Sequence, residues 1–184
     1  MSLPSDDALM ERIARGDNAA CRELVDRHLP PLFAFCQRVL GNRADAEDVA
    51  QEVFVRAWAK AHNWSAGSAK VSTWMHTVAL NLCRDRLRRR QPVDIETVPE
   101  TADLDPSAED RLGGQEIGQQ IDRALAGLPD RQREVIVLSH YQHLDNPAIA
   151  EVLDISVQAV ESLLARARRS LRQTLKPLAD DVIG

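Results

Sequence analysis

From Ala46 to Ala61 apolar residues return every three or four positions, at Ala46, Val49, Ala50, Val53, Phe54, Ala57, Trp58 and Ala61. Glu47, Asp48, Gln51, Glu52, Arg56 and Lys60 fill the intervals. A period near that of the α-helix gathers the apolar set on one face and the polar set on the other. The segment is therefore an amphipathic helix with an acidic outer face, and a chain built around it must bury that stripe against other helices. No segment alternates with a period of two, so the expected class is all-α.

The flanking sequence supplies the partners. Ser5 is placed to cap a first helix, Asp6 and Asp7 suit its N-terminal dipole, and Gly16 stops it. A second helix is expected over residues 18–28, and a third from Pro30-Pro31 to Gly41. After the loop HNWSAGSAK, Ser72 is read as the cap of a helix whose apolar stripe is Trp74, Met75, Val78, Ala79 and Leu82, and which runs through the arginines before Pro92. Further on, Ile117, Ile121, Ala124, Leu125 and Leu128 mark a helix, and Pro129 opens another through Val135, Ile136 and Leu138. Asn146-Pro147 starts a short helix and Ser156 a longer one.

Between these two groups lies DIETVPETADLDPSAEDRLGG, which carries prolines, a closing Gly-Gly and no helical apolar period, as a linker does. Charge divides in the same way. Residues 1–93 hold 14 Lys and Arg against 11 Asp and Glu, residues 94–114 hold 1 against 7, and residues 115–184 hold 8 against 10. The net charge of -5 is thus concentrated in the middle, and it does not exclude nucleic acid as a partner. Five arginines lie between Arg84 and Arg90, and five basic residues with no acid between Ser162 and Leu178. The expected organisation is two small helical domains, 1–93 and 115–184, joined by an acidic flexible linker, 94–114.

No apolar run approaches the roughly 20 residues of a membrane span, and the start MSLPSDDALMER lacks the parts of a secretory leader. The expectation is a cytoplasmic protein without stable membrane insertion. Cys21, Cys36 and Cys83 are odd in number and widely spaced, which indicates neither a disulfide framework nor a zinc site. They are read as buried thiols.

The last two helices fit helix-turn-helix spacing. Taking Ala150 as the small residue at the helix contact, apolar residues fall one position before it (Ile149) and three, five, ten and thirteen after it (Leu153, Ile155, Val160, Leu163). Asp154 stands at the turn where glycine is usual, and aspartate tolerates the left-handed conformation. With Val160, Leu163, Leu164, Ala167 and Leu171 inward, Gln158, Glu161, Ser162, Ala165, Arg166 and Arg169 face outward, where Gln, Glu and Arg can read base edges or hold phosphates. A plain helical hairpin with a solvated basic face is the competing reading. In the first half, Trp74 sits at core spacing, while Trp64 in the loop is freer for a surface role.

The run DAEDVAQEVFVRAW (Asp45 to Trp58), followed by STWMHTVALNLCRDRLRRR (Ser72 to Arg90), resembles conserved region two of extracytoplasmic-function (ECF) sigma factors. IDRALAGLPDRQREVIVL and AIAEVLDISVQAVESLLARARRSLR resemble region four, in the right order. The resemblance implies a transcription initiation subunit, not an enzyme and without cofactor or metal, that binds RNA polymerase core and directs promoter recognition and melting. It implies as partners the clamp of the largest subunit, the flap of the second, promoter DNA and an anti-sigma factor. Matched residue by residue, Glu47, Asp48, Gln51 and Glu52 fall on the clamp-binding helix. Asn81, Arg84 and Arg88 fall on the helix facing the minus-ten element, with Trp64 and Lys70 in the loop over the flipped base. Ser156, Gln158, Glu161, Ser162, Arg166 and Arg169 fall on the minus-thirty-five recognition helix. The chain departs from the family where Gln158 to Leu163 replace Gly-Thr-Val-Lys-Ser-Arg, which removes a hydroxyl and two cations near phosphates and bears on minus-thirty-five specificity. Pro147 and Ala148 also replace a polar residue and a glutamate.

Two other classes compete. A sigma mimic that sequesters an anti-sigma factor without binding DNA would suit the missing recognition-helix cations. A metal enzyme would use His140, His143 and a cysteine, but no carboxylate-histidine constellation accompanies that HxxH.

Overall fold

The computed structural model describes residues 4–67, 69–90 and 112–183, and their side chains except at 112–117 and 177–183. The described residues form helices and turns without a strand. The order is α1 (Asp6–Ala14), α2 (Asn18–Leu40), α3 (Arg43–Ala61), α4 (Val71–Arg90), α5 (Leu112–Ala126), α6 (Asp130–Ile136), a π-helical turn (Val137–Tyr141), α7 (Asn146–Leu153) and α8 (Val157–Ile183). Most of the expected linker lies outside the described residues; its last three, Leu112 to Gly114, already belong to α5.

Side-chain caps start the helices where short polar residues meet the free N–H groups of a first turn. Ser5 Oγ accepts from Ala8 N at 3.2 Å, Asp17 Oδ1 from Ala19 N at 2.8 Å and Asn42 Oδ1 from Asp45 N at 2.9 Å. Asp145 Oδ1 accepts from Ala148 N at 2.9 Å and Ser156 Oγ from Ala159 N at 3.2 Å. Gly41 ends α2 at φ 64, a left-handed position that costs other residues more.

Two expected boundaries are wrong. The helices expected on either side of Pro30-Pro31 are one, α2. Leu24, His28, Leu32 and Phe35 are buried along one line that runs past the prolines, and breaking the helix would turn one half of that line outward. The exposed Asp26 faces water beside the first proline, so the carbonyls deprived of donors can be hydrated. Ser72 does not cap α4, which begins at Val71; its carbonyl instead accepts from His76 Nδ1 at 2.8 Å.

The first half is a bundle of α1 to α4 around Leu9, Met10, Leu24, Leu32, Phe35, Val53, Met75 and Leu80, all fully buried. On α4 the buried line is Val71, Met75, Ala79, Leu80 and Cys83, with Trp74, Val78 and Leu82 only half-buried. The expected stripe is shifted because α4 is covered on two sides, by α2 and α3 and again by α7. The second half gathers around Val135, Leu138, Ile149, Leu153, Val160 and Ala167. It packs on the first, with α7 against α4 and the π-helical turn, α5 and α6 against α2.

Cys36 and Cys83 are fully buried and Cys21 half-buried, all as thiols. The hydrogen bond between Cys83 and Cys36, and then burial, push the Cys83 thiol far up, which leaves it protonated and inert.

Candidate polymerase and nucleic-acid interfaces

Burial of Ala46, Val49, Ala50, Val53, Phe54, Ala57 and Ala61 fixes the rotation of α3. Glu47, Asp48 and Gln51 are therefore exposed and Glu52 half-exposed. Glu47 Oε1 accepts from Arg43 at 3.0 Å and Glu52 Oε1 from Arg56 at 2.9 Å, exposed pairs one helical turn apart that contribute little. Asp48 Oδ2 accepts from Arg86 Nη1 at 3.2 Å, and the same nitrogen donates to Asp45 Oδ1 at 2.6 Å. Arg86 thereby aims the Asp48 carboxylate from α4.

Trp58, expected in the buried stripe, is 40% exposed, and Val55 is 52% exposed. Both lie at helical spacing from Asp48 and Gln51, so the outward face of α3 combines acids with two uncovered apolar side chains. The sequence signal is present: Val55 falls outside the stripe, and Trp58 sits at its edge.

The loop from His62 to Lys70 is less free than expected. Trp64 is half-buried, its Nε1 donates to Asp7 Oδ1 at 2.7 Å, and its ring meets Trp74 edge-on at 5.9 Å between centroids. Lys70 is exposed. On α4, Asn81 and Arg88 are exposed, and Arg88 donates only to its neighbour Asp85 at 2.8 Å.

Arg84 is committed elsewhere. Its Nε donates to Glu134 Oε1 at 2.9 Å and its Nη2 to Glu134 Oε2 at 2.7 Å. Arg90 pairs with Asp45 and donates to the Leu40 carbonyl. Of the five arginines, then, Arg88 and Arg89 project away from the protein while Arg84, Arg86 and Arg90 are turned onto it.

The helix-turn-helix has the geometry its spacing predicts. Asp154 ends α7 in the left-handed region at φ 54, ψ 53, and Ile155 N donates to the Ala150 carbonyl across the turn at 3.1 Å. Val160, Leu164 and Ala167 are buried, whereas Ser156, Gln158, Glu161, Ser162, Arg166 and Arg169 are all exposed along one open side. His140 and His143 do not form a helical pair. A residue with φ 52, His143 leaves the helical path after the π-helical turn, and His140 instead stacks edge-on with Tyr141. Among the described residues no helix is long and apolar enough to cross a membrane.

Two packed helical halves, one presenting an acidic amphipathic helix and the other a helix-turn-helix, are the architecture of a class of DNA-associated regulatory proteins. Family models resolve the class further: Sigma-70 region 2 matches residues 24–93 and Sigma-70, region 4 matches residues 118–171. SigW of Bacillus subtilis (strain 168), an ECF RNA polymerase sigma factor, is 33% identical over 181 residues, covering 92% of this chain and 96% of SigW. NccH of Alcaligenes xylosoxydans xylosoxydans, an RNA polymerase sigma factor, is 32% identical over 96% of this chain and 98% of its own. The fold is similar to that of CnrH in complex with the cytosolic domain of CnrY, with 28% identity, TM-score 0.73 and coverage of 95% of this chain and 99% of that one. It also resembles RpoE of Bartonella quintana in complex with the anti-sigma factor NepR, with 26% identity, TM-score 0.69 and coverage of 84% and 96%. The chain belongs to the sigma-70 family, among the ECF RNA polymerase sigma factors. Members of that family are initiation factors rather than enzymes.

Proposed function

We propose that this chain binds RNA polymerase core in the cytoplasm and directs it to promoters. The single observation that carries this reading is the open side of α8, where Gln158, Glu161, Ser162, Arg166 and Arg169 stand exposed above a fully buried Val160-Leu164-Ala167 line. That arrangement presents base-reading and phosphate-holding side chains together, as a recognition helix entering a major groove does. It favours a DNA-binding factor over a mimic that has lost its DNA surface.

The division of labour follows the residues. The α3 face of Glu47, Asp48, Gln51 and Glu52, extended by Val55 and Trp58, docks on the clamp of the largest polymerase subunit, with buried apolar contacts supplying affinity and the acids orientation. Asn81, Arg84 and Arg88 on α4, with Trp64 and Lys70, hold the minus-ten strand; Ser156 and the open side of α8 hold the minus-thirty-five duplex. A groove of about 440 Å³, with Ile121, Leu125, Ile136 and Leu171 on its apolar part and His140, His143 and Arg168 on its polar part, is assigned to the flap of the second subunit. Because RpoE is seen bound to the anti-sigma factor NepR, an anti-sigma factor is assigned as a further partner.

A run-off transcription assay with core polymerase and the DNA upstream of this protein's own coding sequence tests the reading. A transcript that appears only when the protein is added is expected. Absence of that transcript, with the protein folded and core active on a control promoter, overturns it.

A further inference from the structure

The two halves of the chain are held together by a charge that the proposed function needs elsewhere. Arg84 on α4 and Glu134 on α6 meet as a fork, at 2.9 and 2.7 Å. The Glu134 side chain is only 4% exposed, against 30% for Arg84, and Arg131 Nη1 lies 3.7 Å from the same carboxylate. A carboxylate so enclosed is tolerated when it is fully paired. Two further contacts join the halves. His76 Nε2 lies 3.3 Å from the Gln142 side-chain oxygen, and the Arg38 guanidinium sits 3.9 Å above the Tyr141 ring.

We propose that the Arg84–Glu134 pair is an autoinhibitory clasp, in which Glu134 occupies the position on Arg84 that a promoter phosphate takes, so that docking of the halves and minus-ten binding exclude one another. The inference rests on the assignment of Arg84 to the minus-ten surface made above. A guanidinium fork fits carboxylate and phosphate with the same planar geometry, so one Arg84 cannot serve both at once. Asn81, Arg84 and Arg88 lie at helical spacing on one side of α4, and holding Arg84 under the second half splits that set. Glu134 is well suited to the exchange because it is released to water when the halves part, with Arg131 one turn away to accompany it.

The clasp sets a conformational tax on DNA binding: apparent affinity falls by the fraction of molecules that are open. Polymerase core, by holding the halves apart on two subunits, would lift that tax. The two partners of the pair then have opposite effects. Loss of Glu134 opens the protein and leaves the DNA contact intact, whereas loss of Arg84 opens the protein and removes the contact.

The test uses the full chain without polymerase and two readings: the radius of gyration from solution scattering, and anisotropy of a fluorescein-labelled oligothymidylate of about 20 nucleotides, which offers phosphates without sequence. Glu134→Gln is expected to enlarge the radius of gyration and tighten oligonucleotide binding about tenfold, with helical content preserved. Gln142→Ala, at a half-buried position away from the ion pair, is expected to move both readings in the same direction by a smaller factor. In an Arg84→Ala background Glu134→Gln should give much less of the gain. If both variants fold and neither reading moves, or if the protein opens with no gain in binding, the clasp is wrong. Wild-type run-off transcription is measured alongside: transcripts from the wild type, with no effect of Glu134→Gln on either polymerase-free reading, remove the clasp and leave the sigma reading standing, whereas absent transcripts strike the sigma reading itself.

Discussion

Replacing Asp7 with alanine should release the loop between α3 and α4 from α1 and show whether that loop works in a fixed position. The Trp64 indole donates to the Asp7 carboxylate at 2.7 Å across 57 residues of sequence. A hydrogen bond to a charged group contributes about 1.5 to 3 kcal/mol, and the half-exposed setting of both partners favours the lower end. Asp7 also lies in the first turn of α1, where a carboxylate adds about 0.3 to 1 kcal/mol through the helix dipole. The edge-on contact of Trp64 with Trp74 survives the change. The expected loss is therefore about 2 kcal/mol for Asp7→Ala, and less than about 1 kcal/mol for Asp7→Asn, which keeps an acceptor oxygen and gives up only charge. With a urea slope of about 2 kcal/mol per molar, the alanine variant should unfold about 1 M earlier, read by circular dichroism, with tryptophan emission shifted to the red. In run-off transcription the same variant should lose yield while keeping core affinity, because the proposed role of Trp64 over a flipped base requires its ring to be held in place. An alanine variant within about 0.5 kcal/mol of wild type with unshifted emission would refute the anchoring argument.

Three further outcomes are expected. Asp48→Ala with Gln51→Ala should weaken core binding at least about tenfold, or about 1.4 kcal/mol, with helicity unchanged because both positions are exposed on α3; an unaltered pull-down titration would remove α3 from the clamp. Arg88→Ala should lower the slope of log affinity against log salt by about 0.7 to 0.9, one phosphate's share, and an unchanged slope would take Arg88 off the backbone. The hydrogen bond from His28, helped by Arg27, holds the Asp6 carboxyl below its ordinary value; its folded value lies under the unfolded one near about 3.9, so its stabilisation is whole above that pH and is lost as pH falls through the folded value. Asp6→Asn should accordingly flatten the acid limb of the stability curve, and a superimposable acid limb in urea titrations would show the bond to be inconsequential.

What the sequence made legible and what it hid separate along one physical line. Periodic burial is local information: the α3 stripe apart from Trp58, and Val160, Leu164 and Ala167 on α8, are buried as spacing alone predicts, whereas Leu163 and Leu171, expected inward with them, are only half-buried. Turn chemistry is local too, and Asp154 adopts the left-handed conformation its position required. Helix boundaries failed where tertiary burial outweighed a local rule. Pro30 and Pro31 were expected to open a new helix, but the buried line from Leu24 to Phe35 carries α2 straight past them. Trp64 was assigned to the surface because a loop position has no period, and the acid that binds it lies in another helix.

Charge is the least local quantity in the chain, and the arginine run of α4 shows why. As sequence, Arg84 to Arg90 is a uniform basic block that invites a count of phosphate contacts. In the fold each residue meets whatever acid its angle on the helix delivers: Arg84 finds Glu134 from the other half, Arg86 spans Asp45 and Asp48, Arg90 finds Asp45, and Arg88 keeps only an exposed neighbour. Three of the five are therefore already neutralised inside the protein. On the proposed reading, the affinity of α4 for a strand is set by which of those pairs can exchange carboxylate for phosphate. Arg86 cannot leave without releasing Asp48 on the outward face of α3, and Arg90 closes the end of α4 onto α2. Among the described arginines of α4, Arg84 is the one paired across the boundary between the halves, so its release changes the relation of the halves rather than the integrity of the bundle.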